Sequence, residues 1–447
     1  MAMAKQTIRE QAILLTLTNT LVRAMGFLMR VLFSRMLGSE IMGIMELGSS
    51  VHMMAITPAT AGLPLAVSRL TAKAAQGKKE DALYTGKRLV RLLSLIWIPL
   101  YLLLTPFIAR LLGDDRTFPS LLMAAPCILV LGYSAAYNGY CYGMNNAWPP
   151  AISELTEQTL RFVIAFLLLK VLPNLTAAWT ASVPGFATAV SEAAGVVLVI
   201  LMLRLPKPIA KPDKQTQKQV LRLALPPTAT RLTSTVLRSL NAMMIPLRLR
   251  SSGLELVEAT SRFGMLAGMV MPVIMLPSVF TGSLAMLATP ALAARENNPK
   301  ALKAISLQLL LAALLVGAAC SVLLYAVAPW IAGSMYRLPE LNPLIRYLCP
   351  SVLLMSLQQV LSGMIAGLGR QKQALYGTLA GAGVTLLSSW YLTGMAELRL
   401  YGAAFSMIAG QAVGLVWSII LLIRILMKKA PPRERLSDQQ ASTFSDT

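Results

Sequence analysis

The sequence holds one histidine, His52, and four cysteines, Cys127, Cys141, Cys320 and Cys349, with no CxxC pair and no Cys/His cluster. That poverty excludes a metal centre on the usual ligand spacings and a disulfide framework. The cysteines fall in apolar stretches and read as small core residues. His52 reads first as a buried, hydrogen-bonded side chain and second as a proton relay. No cofactor is expected. Charge is sparse too: 13% of residues are charged, and 19 acids face 40 Lys and Arg, a net +21. No basic aromatic module accompanies that excess, so no nucleic-acid partner is expected. No paired-carboxylate or metal constellation stands out either, which argues against an enzyme. The N-terminus MAMAKQTIREQAILL lacks a compact apolar region closed by a small-residue cleavage site, so no removable signal peptide is expected.

Apolar runs fill the chain instead. It is 56% hydrophobic with mean hydropathy +0.63, and its runs repeatedly reach the length that spans a bilayer as a helix. Period-two alternation is missing, which favours helices over a barrel. The fold class expected is therefore all-α and polytopic. Helices are placed near 12–34, 41–67, 89–111, 119–143, 150–170 and 180–203, then 220–247, 263–287, 304–328, 342–367, 374–395 and 401–426. The stretch LRLPKPIAKPDKQTQK between them is too rich in proline and lysine to continue a membrane helix. The chain thus divides into a six-helix unit over 1–204, a linker over 205–219, a second six-helix unit over 220–427 and a polar, disordered tail over 428–447. With twelve helices the basic clusters, among them Lys78 and Lys79, Lys211 and Lys214, Arg295 and Lys300, and Lys428 and Lys429, fall on one side. Both termini are expected in the cytoplasm and the protein in the cytoplasmic membrane.

The halves read as parallel repeats. Gly139 and Gly143 near the end of helix four match Gly363 and Gly367 of helix ten, and Glu192 and Gly195 of helix six match Gln411 and Gly414 of helix twelve. Parallel repeats around an axis along the membrane normal enclose a central cavity suited to alternating access. The GxxxG spacings mark close helix packing or bending.

Arginines interrupt the first helix of each half. Arg23 and Arg30 stand seven residues apart with Thr16 and Asn19 beside them, and Arg231 and Arg238 repeat the spacing with Thr228 and Thr235. Seven residues is nearly two turns, so each pair shares a face. One central arginine costs roughly 2.5–3.5 kcal/mol on insertion scales, so such faces belong against a wet or protein-lined interior. A cavity with a cationic lining follows, polyspecific or headgroup-binding. Arg30, with Arg35 close behind, also fits a snorkelling position at the interface. On helix five Glu157 and Arg161 are four apart and read as a neutralising ion pair. Glu192, with only Ser191 as a polar neighbour, reads equally as a proton or cation site and as a buried protonated carboxyl. Glu46, with Ser49 and His52, is a second coupling candidate of this kind.

Three stretches, RAMGFLMRVLFSRMLGSEIMGIMEL, GLPLAVSRLTAKA and MLPSVFTGSLAMLATPALA, carry a resemblance in their order and spacing. The chain resembles the multidrug, oligosaccharidyl-lipid and polysaccharide (MOP) flippase superfamily, in its polysaccharide-biosynthesis and spore stage V protein B branch. The resemblance implies two six-helix bundles in a V and outward movement of a polyprenyl-diphosphate-linked sugar, a polysaccharide or lipid II-like peptidoglycan precursor. Lipid II flippases of this superfamily carry cavity arginines in an RxxGF context, which Arg23 matches in RAMGF; Arg30 departs from their pattern. On this reading Arg23, Arg30, Arg231 and Arg238, with Asn19, meet the diphosphate, since guanidinium forks bind phosphate oxygens bidentately. The partners expected are that lipid-linked anionic glycan and membrane lipids, and a monomer suffices. Two other readings remain: a proton- or sodium-coupled multidrug antiporter, and a non-transporting scaffold for cell-envelope synthesis.

Overall fold

The computed structural model describes residues 8–75, 78–205, 214–295 and 298–427, and every regular element among them is helical. Two helices, α1 (8–37) and α2 (39–60), turn into each other at Gly38, whose φ of 77° ends the first without a Cβ penalty. Ala61 and Gly62 then break the chain before α3 (Leu63–Lys73). The first half continues with α4 (Asp81–Leu111), α5 (Phe118–Gly143), α6 (Trp148–Val171) and α7 (Ala177–Leu203). The second holds α8 (Lys214–Ser251), α9 (Leu256–Met275, with a π-helical stretch Gly264–Val270) and α10 (Ser278–Ala293), bent 53° from α9. It closes with α11 (Pro299–Trp330), α12 (Leu341–Gly367), α13 (Gln371–Leu392) and α14 (Arg399–Met427). With α2–α3 and α9–α10 each counted as one broken element, the described residues make twelve helical elements in two six-helix bundles. The break recurs at the same place in both halves. Helix α8 begins at Lys214, inside the stretch read as linker; residues 206–213 and the tail from 428 lie outside the described residues.

The bundles share a core at one end only. There Val31, Phe33, Met42 and Leu47 of the first half pack with Leu249, Phe263, Leu266 and Ile345 of the second. At the other end the cores separate. Leu63, Val67, Leu83 and Tyr137 form one cluster, and Ala288, Leu292, Val360 and Leu415 form another. The result is a V whose open end carries the basic connections after α3 and α10, with Lys78, Lys79 and Arg295. Helix α8 runs from one bundle to the other: Thr228 accepts the Gly62 N–H at 3.1 Å, and twenty residues on Arg248 stacks over Trp390 at 4.6 Å.

Small residues make the closures. A Cβ on Gly139 or Gly143 would press on the carbonyl oxygens of Pro64 and Ser68 in α3, and one on Gly363 or Gly367 would overlap those of Ala285 and Thr289 in α10. The two GxxxG spacings therefore serve the same contact in each repeat, close helix packing. The seam between bundles at the closed end is built alike. Ser39 Oγ and Ser261 Oγ are 2.6 Å apart, and side chains on Gly43 or Gly264 would overlap the carbonyl oxygens of Thr260 and Ser39 respectively.

Candidate translocation site

A cavity of about 500 Å³ lies inside the first bundle, between α1, α2, α5, α6 and α7. Four methionines, Met29, Met42, Met45 and Met53, line one part of it, and two ion pairs line another. Arg30 Nη1 donates to Glu46 Oε1 at 2.5 Å across the Gly38 bend. Arg161 Nη2 donates to Glu192 Oε1 at 2.8 Å, joining α6 to α7, while its Nη1 reaches Gln158 Oε1 at 3.2 Å. This corrects the expected Glu157–Arg161 pair. Glu157 instead accepts from Ser153 Oγ at 2.5 Å and lies against Gly195, where any side chain would displace it. It corrects Glu192 as well, whose basic partner comes from another helix. His52 and Ser120 line the same cavity, and His52 Nδ1, Ser120 Oγ and Arg161 Nε are buried without a hydrogen-bond partner among the described residues.

The Arg161–Glu192 side chains are 21% and 9% exposed, so breaking the pair leaves a charge largely out of solvent at the cavity wall. Glu192→Ala is expected to cost about 3 kcal/mol, the low end for a buried pair. The double variant Arg161→Met, Glu192→Leu should recover most of it, as read from thermal unfolding in detergent.

The remaining cavity candidates sit differently. Arg23, Arg231, Arg238 and Asn19 are exposed, and the three guanidinium groups make no ion pair or hydrogen bond with the described residues. On α1 the face of Asn19 and Arg23 lies opposite the exposed Leu21, Leu28 and Leu32; on α8 that of Arg231 and Arg238 lies opposite Leu240 and Leu247. The edge beside Arg231 and Arg238 packs on α2, with Thr57 donating to Thr235 at 3.5 Å and Ser239 to the Ser50 carbonyl at 2.6 Å. Arg30 does not join this set, because Glu46 already holds it.

The closed end carries polar contacts that sequence reasoning missed. Arg116 binds Asp114 at 2.7–2.8 Å and also Glu40, and Asp114 accepts from Thr260 of the other bundle at 3.0 Å. Arg35 donates to the Met335 and Ser334 carbonyls in the π-helical turn Ile331–Met335 that follows α11, and Arg250 to Gly113 O at 3.2 Å. No single-helix signal marks those made between elements, since each joins residues far apart in the sequence.

A family model described as polysaccharide biosynthesis protein matches residues 8–296, well over half of the chain. The chain belongs to the polysaccharide biosynthesis protein family. A second model, MatE, matches residues 227–392, and together the matches place the chain in the MOP superfamily. It is 27% identical to stage V sporulation protein B of Bacillus subtilis (strain 168) over 428 residues, 92% of this chain and 82% of that protein. Its fold is that of a multidrug resistance MATE family transporter in an inward-facing conformation, with TM-score 0.72 at 16% identity over 92% of this chain and all of that one. The lipid II flippase MurJ, in an inward closed conformation, matches with TM-score 0.70 at 12% identity over 93% of this chain and 89% of that one. By its family matches the chain is a multi-pass membrane transporter of this superfamily.

Proposed function

We propose that the protein is a flippase for an anionic polyprenyl-diphosphate-linked oligosaccharide or peptidoglycan precursor, lipid II-like, moved outward across the cytoplasmic membrane by alternating access. One observation carries the reading: Arg23, Arg231 and Arg238 stand without an ion pair or hydrogen bond to the described residues on the polar faces of the first helix of each repeat, in a two-bundle V, with the Glu154 carboxylate within electrostatic range of Arg23. Three guanidiniums on membrane helices without a bonded carboxylate are costly unless an anion meets them. The diphosphate supplies that anion. In this scheme the open end of the V faces the cytoplasm, where the basic connections and both termini lie. The bundles of residues 1–204 and 220–427 rock about the seam at Ser39 and Ser261, and a single copy suffices.

Export needs no dedicated ion site. Each negative charge leaving an inside-negative cell gains about 2.3 kcal/mol per 100 mV, and a diphosphate carries more than one. The antiporter reading is weakened because Glu46 and Glu192, its candidate carboxylates, are held by Arg30 and Arg161. In vesicles reconstituted with the protein, a fluorescent polyprenyl-diphosphate sugar should cross faster as the imposed potential rises. Indifference to potential, with exchange of organic cations for protons or sodium, would establish the antiporter instead.

A further inference from the structure

Arg30 and Glu46 take no part in that scheme, yet their geometry is that of a contact made to be broken. The pair is joined by one hydrogen bond, Nη1 to Oε1, and no other acceptor reaches the Arg30 guanidinium among the described residues. Arg116, by contrast, is bound through three nitrogens to two carboxylates. The Arg30 and Glu46 side chains are 36% and 19% exposed and both line the cavity, leaving the unused donors of Arg30 open. Arg30 shares a face of α1 with the unpaired Arg23 two turns earlier. Glu46 has a second neighbour, since a Cβ on Gly268, in the π-helical stretch of α9, would lie 3.6 Å from its Cγ. The carboxylate thus stands where the two bundles touch.

We propose that Glu46 is an internal counter-ion: it holds Arg30 while the site is empty, yields it to the diphosphate, and is then left unpaired in the seam. The inference rests on the diphosphate reading of the preceding section. A diphosphate brings more charge than one carboxylate and offers two oxygens to the guanidinium fork, so it wins Arg30 once Arg23 has captured it. The released carboxylate then lies without a cation at the cavity wall beside Met42 and Met45, only 19% exposed, a state relieved when the seam opens and more water enters. Capture of substrate at one end is in this way linked to opening at the other.

The test measures binding of farnesyl diphosphate to the full chain in detergent. Glu46→Gln removes the competitor and should tighten binding at least tenfold, and Glu46→Ser should do the same, so a folding defect peculiar to one variant does not decide the outcome. Adding Arg30→Gln to Glu46→Gln should abolish the gain. A Ser39→Cys, Ser261→Cys pair supplies a second readout: the probe should slow cross-linking of the seam, and should no longer do so once Glu46 is Gln. Unchanged or weaker binding in both Glu46 variants overturns the proposal, because a purely structural pair predicts that result. If Arg23→Gln still weakens binding at that point, the diphosphate reading stands without it; if Arg23→Gln binds like the wild type, that reading fails and the proposal fails with it.

Discussion

Arg23→Ala and Arg238→Ala are each expected to slow transport of a diphosphate-linked lipid at least a hundredfold while leaving the amount of protein in the membrane unchanged. Each guanidinium can give two charge-assisted hydrogen bonds to the phosphates, worth about 1.5–3 kcal/mol apiece. Losing both costs roughly 3–6 kcal/mol, and a factor of a hundred is about 2.8 kcal/mol. Folding should not suffer, because neither side chain makes an ion pair or hydrogen bond with the described residues and an uncharged helix inserts more readily. Lysine in either place keeps the charge and loses the fork, so an intermediate loss is expected. The contrast with Glu192→Ala is diagnostic: there the stability falls, since Glu192 is buried against Arg161. Initial rates in vesicles, normalised to reconstituted protein, make the measurement. Wild-type rates in both alanine variants would remove the arginines from the transport path.

Cross-linking the closed end should stop transport altogether. Ser39 and Ser261 already meet at 2.6 Å, and the neighbouring Gly43 and Gly264 bring the helices so close that any side chain there would overlap backbone. Cysteines at 39 and 261, in a background without Cys127, Cys141, Cys320 and Cys349, should therefore form a disulfide on mild oxidation. If the V must open at this seam during each cycle, the oxidised protein carries no substrate and reduction restores the full rate. Gly43→Val and Gly264→Val act in the opposite sense by wedging the seam apart, and are expected to lower the oxidised yield of a cysteine pair placed there. A cross-linked protein that still transports would show that the two bundles do not separate at Ser39 and Ser261.

The helices and their repeat were legible because hydropathy and glycine spacing are local signals. Gly139 and Gly363 could be aligned by offset alone, and each packs on the second part of a broken span. The breaks themselves were not read, although Pro64 and Pro277 stand at them and lack the N–H that continues a helix; at Gly62 the close approach of α8 adds the need for a residue without a side chain. Ion pairing was misread for a related reason. A spacing of four places Glu157 beside Arg161 on one helix, but the carboxylate of Glu157 turns into the space left by Gly195, and Arg161 reaches α7 instead. Likewise Arg30 and Glu46 belong to different helices and meet only because the chain folds back at Gly38. One-helix arithmetic finds faces; it does not find what the next helix brings to them.

The most direct measurement is native mass spectrometry of the purified protein, comparing lipids retained by the wild type with those retained by Arg23→Ala and Arg238→Ala. The account predicts a diphosphate-linked glycolipid bound to the wild type and absent from both variants. The same lipid retained equally by all three, or by none, would contradict a diphosphate site built on these arginines.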